Sequence, residues 1–229
     1  MPQHSHPHLP PAIEHGIDEL VRPALRGWLH EKTFLVAVPA AILLVVVANG
    51  IPATISAAIY GLGFCALYGV SGNYHRRNWA PEVRLRMQRL DHGTIFVMIA
   101  GTYTPLCVLV LDGWVRVILL AAVWVGALGG LVLAITDIAR KRWIGAVFYI
   151  ALGWAAVFAL PQLVDGLSTT QLVLILVGGI LYTVGAAVLA SRWPDPHPAT
   201  FGYHEVWHVF VVVASICHYV VIWQIVRAG

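Results

Sequence analysis

Charge is what this sequence has least of. Only 11% of its 229 residues are Asp, Glu, Lys or Arg, while 59% are hydrophobic and the mean hydropathy is +0.78. An ordinary soluble domain carries about 25% charged residues. Too little polar surface remains to coat one soluble domain or two, so water is excluded as the main solvent. Cysteine is also scarce: Cys65, Cys107 and Cys217 all lie inside apolar runs, which excludes a disulfide framework. The net charge of +3 is too small to argue for a nucleic-acid partner.

What is present is a set of long apolar runs. A helix needs about 20 apolar residues to cross a bilayer. Seven such runs occur, near Thr33–Ala48, Thr54–Tyr74, Thr94–Leu111, Trp114–Thr136, Trp143–Leu163, Gln171–Ala190 and Tyr203–Val226. Asn49-Gly-Ile-Pro52 separates the first two and Asp112-Gly113 the third from the fourth, both strong turn signals. The runs lack two-residue alternation and are twice as long as a barrel strand, which argues against a β-barrel. The fold class expected is an all-α membrane protein, a bundle of seven transmembrane helices over 33–229. Residues 1–13, rich in Pro and His, read as a polar tail with no basic start of a signal peptide. Residues 14–32 read as a short amphipathic helix lying at the membrane surface.

The basic residues orient the bundle. On an alternating seven-span path, twelve of the fourteen fall on one side: Arg22, Arg26 and Lys32, then five arginines over 76–89, then residues 140–142, then Arg192. Only Arg116 and Arg227 fall on the other. By the positive-inside rule the N-terminus is expected in the cytoplasm and the C-terminus outside, as a multi-pass protein of the inner (cytoplasmic) membrane. The two lysines, Lys32 and Lys141, stand at span ends or in loops, so a retinal Schiff base within a span is excluded.

Ionisable groups within or bordering spans are costly and mark function by default. Ser71 and His75 sit four apart at the inner end of the second span, on one helix face. Asp91, with His92 beside it, opens the third. His204 and His208, also four apart with Glu205 between them, begin the seventh. All belong to the same edge of the membrane. An i, i+4 histidine pair presents two imidazoles to one ion, and His75 from a facing helix supplies the third ligand of a zinc site with an open position. Imidazole also suits other divalent transition metals, so zinc is an inference from ligand type. Asp91 is expected to bind the metal or, preferably, to hold and deprotonate its water. Ser71 is positioned to stabilise an oxyanion. His92 points about 100° away from Asp91, and His218 lies ten residues beyond His208, about 15 Å along the helix; neither is counted in the site.

His204-Glu-Val-Trp-His208 matches the H-E-x-x-H helix of zinc proteases, which would make Glu205 a general base. No Asp or Glu follows Glu205, and the only later histidine is His218, so the third ligand has to come from upstream. At these positions the chain resembles a known family. Ser71-Gly-Asn-Tyr-His75, Arg89-Leu-Asp-His-Gly-Thr-Ile-Phe96, Ile99-Ala-Gly-Thr-Tyr-Thr-Pro105, Phe201-Gly-Tyr-His-Glu-Val-Trp-His208 and His218-Tyr219 look like the hemolysin III family. This is the bacterial branch of the progestin and adiponectin receptor superfamily, related more distantly to alkaline ceramidases. The likeness runs from about Arg22 to the seventh span. It implies seven helices with a cytoplasmic N-terminus and a zinc ion held by His75, His204 and His208, beside the family's aspartate at Asp91 and serine at Ser71.

Two functions of different class follow. The first is a zinc-dependent hydrolase of a lipid amide or ester bond acting in membrane lipid homeostasis, with a membrane lipid as substrate. The second is a receptor-like membrane sensor in which zinc is structural. A lytic pore is disfavoured because the spans offer no continuous polar stripe.

Overall fold

Inside a bilayer no water satisfies an exposed N–H or C=O, so each apolar run must bond its own backbone and becomes a helix. The computed structural model describes residues 22–136 and 142–229, and their architecture is all-helical. The elements are α1 (Trp28–Val47), α2 (Ile51–Arg76), α3 (Pro81–Val110), α4 (Gly113–Thr136), α5 (Arg142–Gly153), a 3-10 stretch (Trp154–Ala159), α6 (Leu160–Gly166), α7 (Thr169–Ser191) and α8 (Tyr203–Ala228). Seven helical segments among them are long and apolar enough to cross a membrane, the fifth being Val147–Gly166 across the α5–α6 break. The cysteines at 65, 107 and 217 are all free.

The connections obey local chemistry. Gly50 (φ 90°) turns the chain between α1 and α2, and Gly113 (φ 55°) does so between α3 and α4. Pro52 and Pro81 open α2 and α3, where a missing N–H leaves no intrahelical bond unmade. Ser168 and Gln171 form a reciprocal capping box at the start of α7.

Two boundaries differ from the sequence expectation. The first span starts at Trp28 rather than Thr33, directly after Gly27 (φ 73°), so that Trp28–Lys32 belong to α1. Residues 24–27 form turns instead of the surface helix expected there, and residues 1–21, with the tail and the rest of that helix, lie outside the described residues. The third span starts at Pro81 rather than Thr94. Hydropathy registers only the lipid-facing part of a helix, whereas backbone bonding carries α3 on through its arginines to 30 residues, about 45 Å.

The bundle closes by packing α8 against α1, α2 and α3; the first four spans pair in sequence and the last two pair with each other, while the fifth packs only loosely on its neighbours among the described residues. Short connections alternate the direction of the spans. The end of α2 and the starts of α1, α3 and α8 therefore gather at one end, the end that also holds the arginines of 76–89. The fifth span breaks where Pro161 lacks a donor. There the Tyr103 hydroxyl donates to Gly153 O (2.7 Å) and accepts from Ala156 N (2.7 Å), satisfying backbone groups that the 3-10 stretch releases.

Candidate metal centre

The centre is built at one end of the bundle, from the last turn of α2, the first turns of α1 and α8, and the part of α3 around Asp91. In α8 the residues 204 and 208 share a face one turn apart, and α8 starts at the arginine-rich end. The start of α8 is fixed by Glu205, whose Oε2 accepts from Gly202 N (2.8 Å), the half of a capping box that glycine permits. Its Oε1 accepts from Arg26 Nε at 2.6 Å, and the carboxylate is only 3% exposed. Oε1 thus holds the segment before α1 onto α8, while Oε2 caps α8 itself. That geometry explains the glutamate of H-E-x-x-H without a protease role.

His75 ends α2 and meets the pair on α8. One ligand atom from each of His75, His204 and His208 lies within 4.8 Å of the others. Two nitrogens bound tetrahedrally at 2.0–2.1 Å from one zinc ion stand about 3.3 Å apart. His75 Nε2 and His204 Nε2 are 3.2 Å apart, a spacing that suits such a ligand pair and also a single N–H···N bond. His208 is more telling. It is fully buried, and neither of its ring nitrogens has a hydrogen-bond partner. A buried imidazole with both nitrogens open is expensive unless something else engages one of them. A divalent metal accepted by three imidazoles fits this donor set.

Asp91 reaches the triad from α3. Its Oδ2 lies 3.5 Å from His75 Nε2, the same nitrogen that faces His204, and the residue is 7% exposed. The carboxylate therefore stands on the side of His75 where an ion would sit rather than behind the ring. Because α3 starts at Pro81, thirteen residues before the expected span, Asp91 lies well inside the helix rather than at its opening. Ser71 is buried one turn before His75, with Oγ 2.9 Å from His30 Nδ1.

His30 is the residue that reading the sequence missed. It is 1% exposed, stacks on His208 with ring centroids 3.6 Å apart and planes 15° apart, and contacts Tyr68 edge-on. The available signal was weak: a histidine in the first turn of an apolar run looks like an interface anchor. His92 is exposed, and His218 places Nε2 3.3 Å from Ile175 O on α7, away from the triad. Neither belongs to the group of three histidines.

Two close approaches set the outer wall. A Cβ at Gly27 would fall 2.3 Å from His75 Cβ, and Gly27 also has the left-handed φ of 73°. A Cβ at Gly72 would fall 2.9 Å from the backbone of Glu31. Glycine at both places lets the start of α1 lie directly on the end of α2. Backbone bonds from Ala24 N to Ala199 O and Leu25 N to Thr200 O fasten the same segment to the approach to α8.

The chain is similar to known proteins over most of its length. The profile of the family described as "Haemolysin-III related" matches residues 19–219. "Hemolysin-3" of Bacillus cereus is 33% identical over 185 residues, covering 79% of this chain and 81% of that protein. The "Hemolysin-3 homolog" of Bacillus subtilis is 31% identical over 189 residues, covering 81% and 85%. The human "Monocyte to macrophage differentiation factor" is 27% identical over 176 residues, covering 74% and 70%. A multi-pass helical membrane protein matched over nearly its whole spanning region, the chain belongs to the Haemolysin-III related family.

Proposed function

We propose that this protein is a zinc-dependent hydrolase of a lipid amide or ester bond in the inner membrane, with the arginine-rich end facing the cytoplasm. The observation that carries the proposal is the fully buried His208, open at both nitrogens and grouped with His75 and His204 beside the Asp91 carboxylate. His75, His204 and His208 would hold the ion. A zinc ion so held supplies Lewis acidity to an acyl carbonyl and to a water molecule. Asp91 is the proton acceptor, since its oxygen lies on the same side of His75. Ser71 is the hydrogen-bond donor for the charge that develops on the carbonyl oxygen. The arginines of 76–89 suit an anionic headgroup at the cytoplasmic leaflet, and the lipid-facing helices suit an acyl tail.

The expected result is fatty-acid release by purified, zinc-loaded protein from at least one of a panel of ceramides, acyl esters and phospholipids, lost in His208→Ala. No release across that panel overturns the hydrolase reading. A second reading has its own support. The triad joins the last turn of α2 to the first turns of α8, so an ion there also cross-links two ends of the bundle. In that receptor-like case zinc removal lowers the melting temperature while Asp91→Asn leaves function intact. A lytic pore along this axis is opposed by Phe64 and Tyr68, which pack edge-to-face beneath His30.

A further inference from the structure

A histidine that ligates a metal is ordinarily oriented by a hydrogen bond from its second nitrogen. His208 has no such bond, although its ring is fully buried. What lies against it is the face of His30, 3.6 Å away and nearly parallel. His30 is not itself a fourth ligand of the same ion. A ligating lone pair lies in the plane of its ring, and two nearly parallel planes this far apart do not meet at one ion. Of the rings that touch His208, only that of His30 stacks on its face.

The other edge of His30 meets Ser71. At 2.9 Å between Nδ1 and Oγ, the bond runs in one of two directions. If Ser71 donated, its hydrogen would be used, and His30 Nε2–H would be a buried donor that approaches the His208 backbone without forming a hydrogen bond of normal geometry. Buried orphan N–H groups are rarer than buried acceptors with an open lone pair. If His30 Nδ1–H donates, Nε2 is merely an open acceptor and the Ser71 hydrogen is free.

We propose that His30 is a positioning residue of the centre with two tasks: its ring face sets the orientation of His208, and its Nδ1–H holds the Ser71 oxygen so that the Ser71 hydroxyl hydrogen stays available to a ligand. Only the use of that hydrogen on a carbonyl oxygen rests on the hydrolase reading. Both tasks can be separated by substitution. His30→Phe keeps a ring against His208 and removes the bond to Ser71. His30→Asn keeps a donor near the Nδ1 position and removes the ring.

The test uses the full-length protein in nanodiscs, with Co²⁺ as the metal probe and thermal melts of the metal-free variants as the check on folding. His30→Asn is expected to weaken Co²⁺ binding by about 10- to 100-fold and to alter its visible bands, while His30→Phe leaves both near wild type. ¹⁵N-histidine spectra, with the His30 signals identified by their loss in His30→Phe, are expected to show the proton on Nδ1. Turnover should fall with His30→Phe and no further in the double variant with Ser71→Ala, because the two residues act as one unit. Unchanged cobalt affinity in His30→Asn, or a proton on Nε2, overturns the proposal. A wild type that turns over no lipid, with the cobalt and nitrogen results as expected, sinks the hydrolase reading and leaves the positioning role standing.

Discussion

The second and third spans differ from the fourth and sixth in what surrounds them. Their most apolar stretches have mean hydropathies of 1.6 and 1.8, against 2.5 for both outer spans. Half of the second-span stretch and 61% of the third are buried by protein, against 22% and 17% for the fourth and sixth. A helix wrapped in protein can keep polar groups because neighbours satisfy them, whereas a helix facing lipid cannot. Burial, rather than hydropathy alone, marks their place in the bundle, since the fifth span has a hydropathy of 1.9 with only 11% of its stretch buried. His75, Ser71 and Asp91 all come from these two helices, completed by α8 and by the first turn of α1.

The comparison breaks most visibly if a histidine near an outer helix matters as much as one at the centre. His208→Ala is expected to reduce metal affinity by more than about 100-fold, beyond the loss typical of changing an outer-shell group. His218→Ala, which loses a contact with Ile175 on α7, should keep its metal. Elemental analysis of the two purified variants checks this. Equal metal content would remove the centre from where we place it.

Asp91→Asn sharpens the same contrast within α3. Turnover is expected to fall by about 100- to 10,000-fold with metal still bound, as for loss of a general base. Steady-state kinetics beside metal content checks it. Loss of both together would instead make Asp91 a direct ligand.

These outcomes bear on how far the sequence could be read. The seven spans were legible because the bilayer demands apolar runs of a given length. The triad was legible because two histidines four apart declare a shared face, and His75 lay at the matching end. Helix starts were less so: charged Glu31 and Lys32 end an apolar run yet sit comfortably in the first turns of α1, and the arginines of 84–89 continue α3 beyond the membrane core. His30 was missed because its role depends on a stacking partner 178 positions away, which no local pattern encodes. The break in the fifth span had only Pro161 to announce it, and the group that repairs it is a tyrosine on another helix.

That repair gives the next effect in size. Tyr103→Phe removes the hydroxyl that serves Gly153 O and Ala156 N, leaving backbone groups unpaired within the membrane. A destabilisation of about 1–3 kcal/mol is expected, read as a lower melting temperature in detergent with metal content unchanged. No change in melting would mean that the 3-10 stretch finds other partners.

The smallest effect tests the comparison inside a single outer helix. Although α4 mostly faces lipid, Leu119, Val123, Ala127 and Gly130 form a buried stripe at helical spacing, and Gly130 lies against the Phe96 ring. Val123 is fully buried and Val125 is 70% exposed, two positions and about 200° apart around the axis. Lipid is as apolar as valine, so moving a side chain from lipid into the bundle gains packing rather than escape from water. Val123→Ala should therefore cost about 1 kcal/mol through lost contacts, and Val125→Ala less than about 0.5 kcal/mol. Equal costs in paired unfolding measurements would mean that membrane partitioning, rather than protein packing, holds α4 in place; the difference in burial between inner and outer spans would then carry no energetic weight.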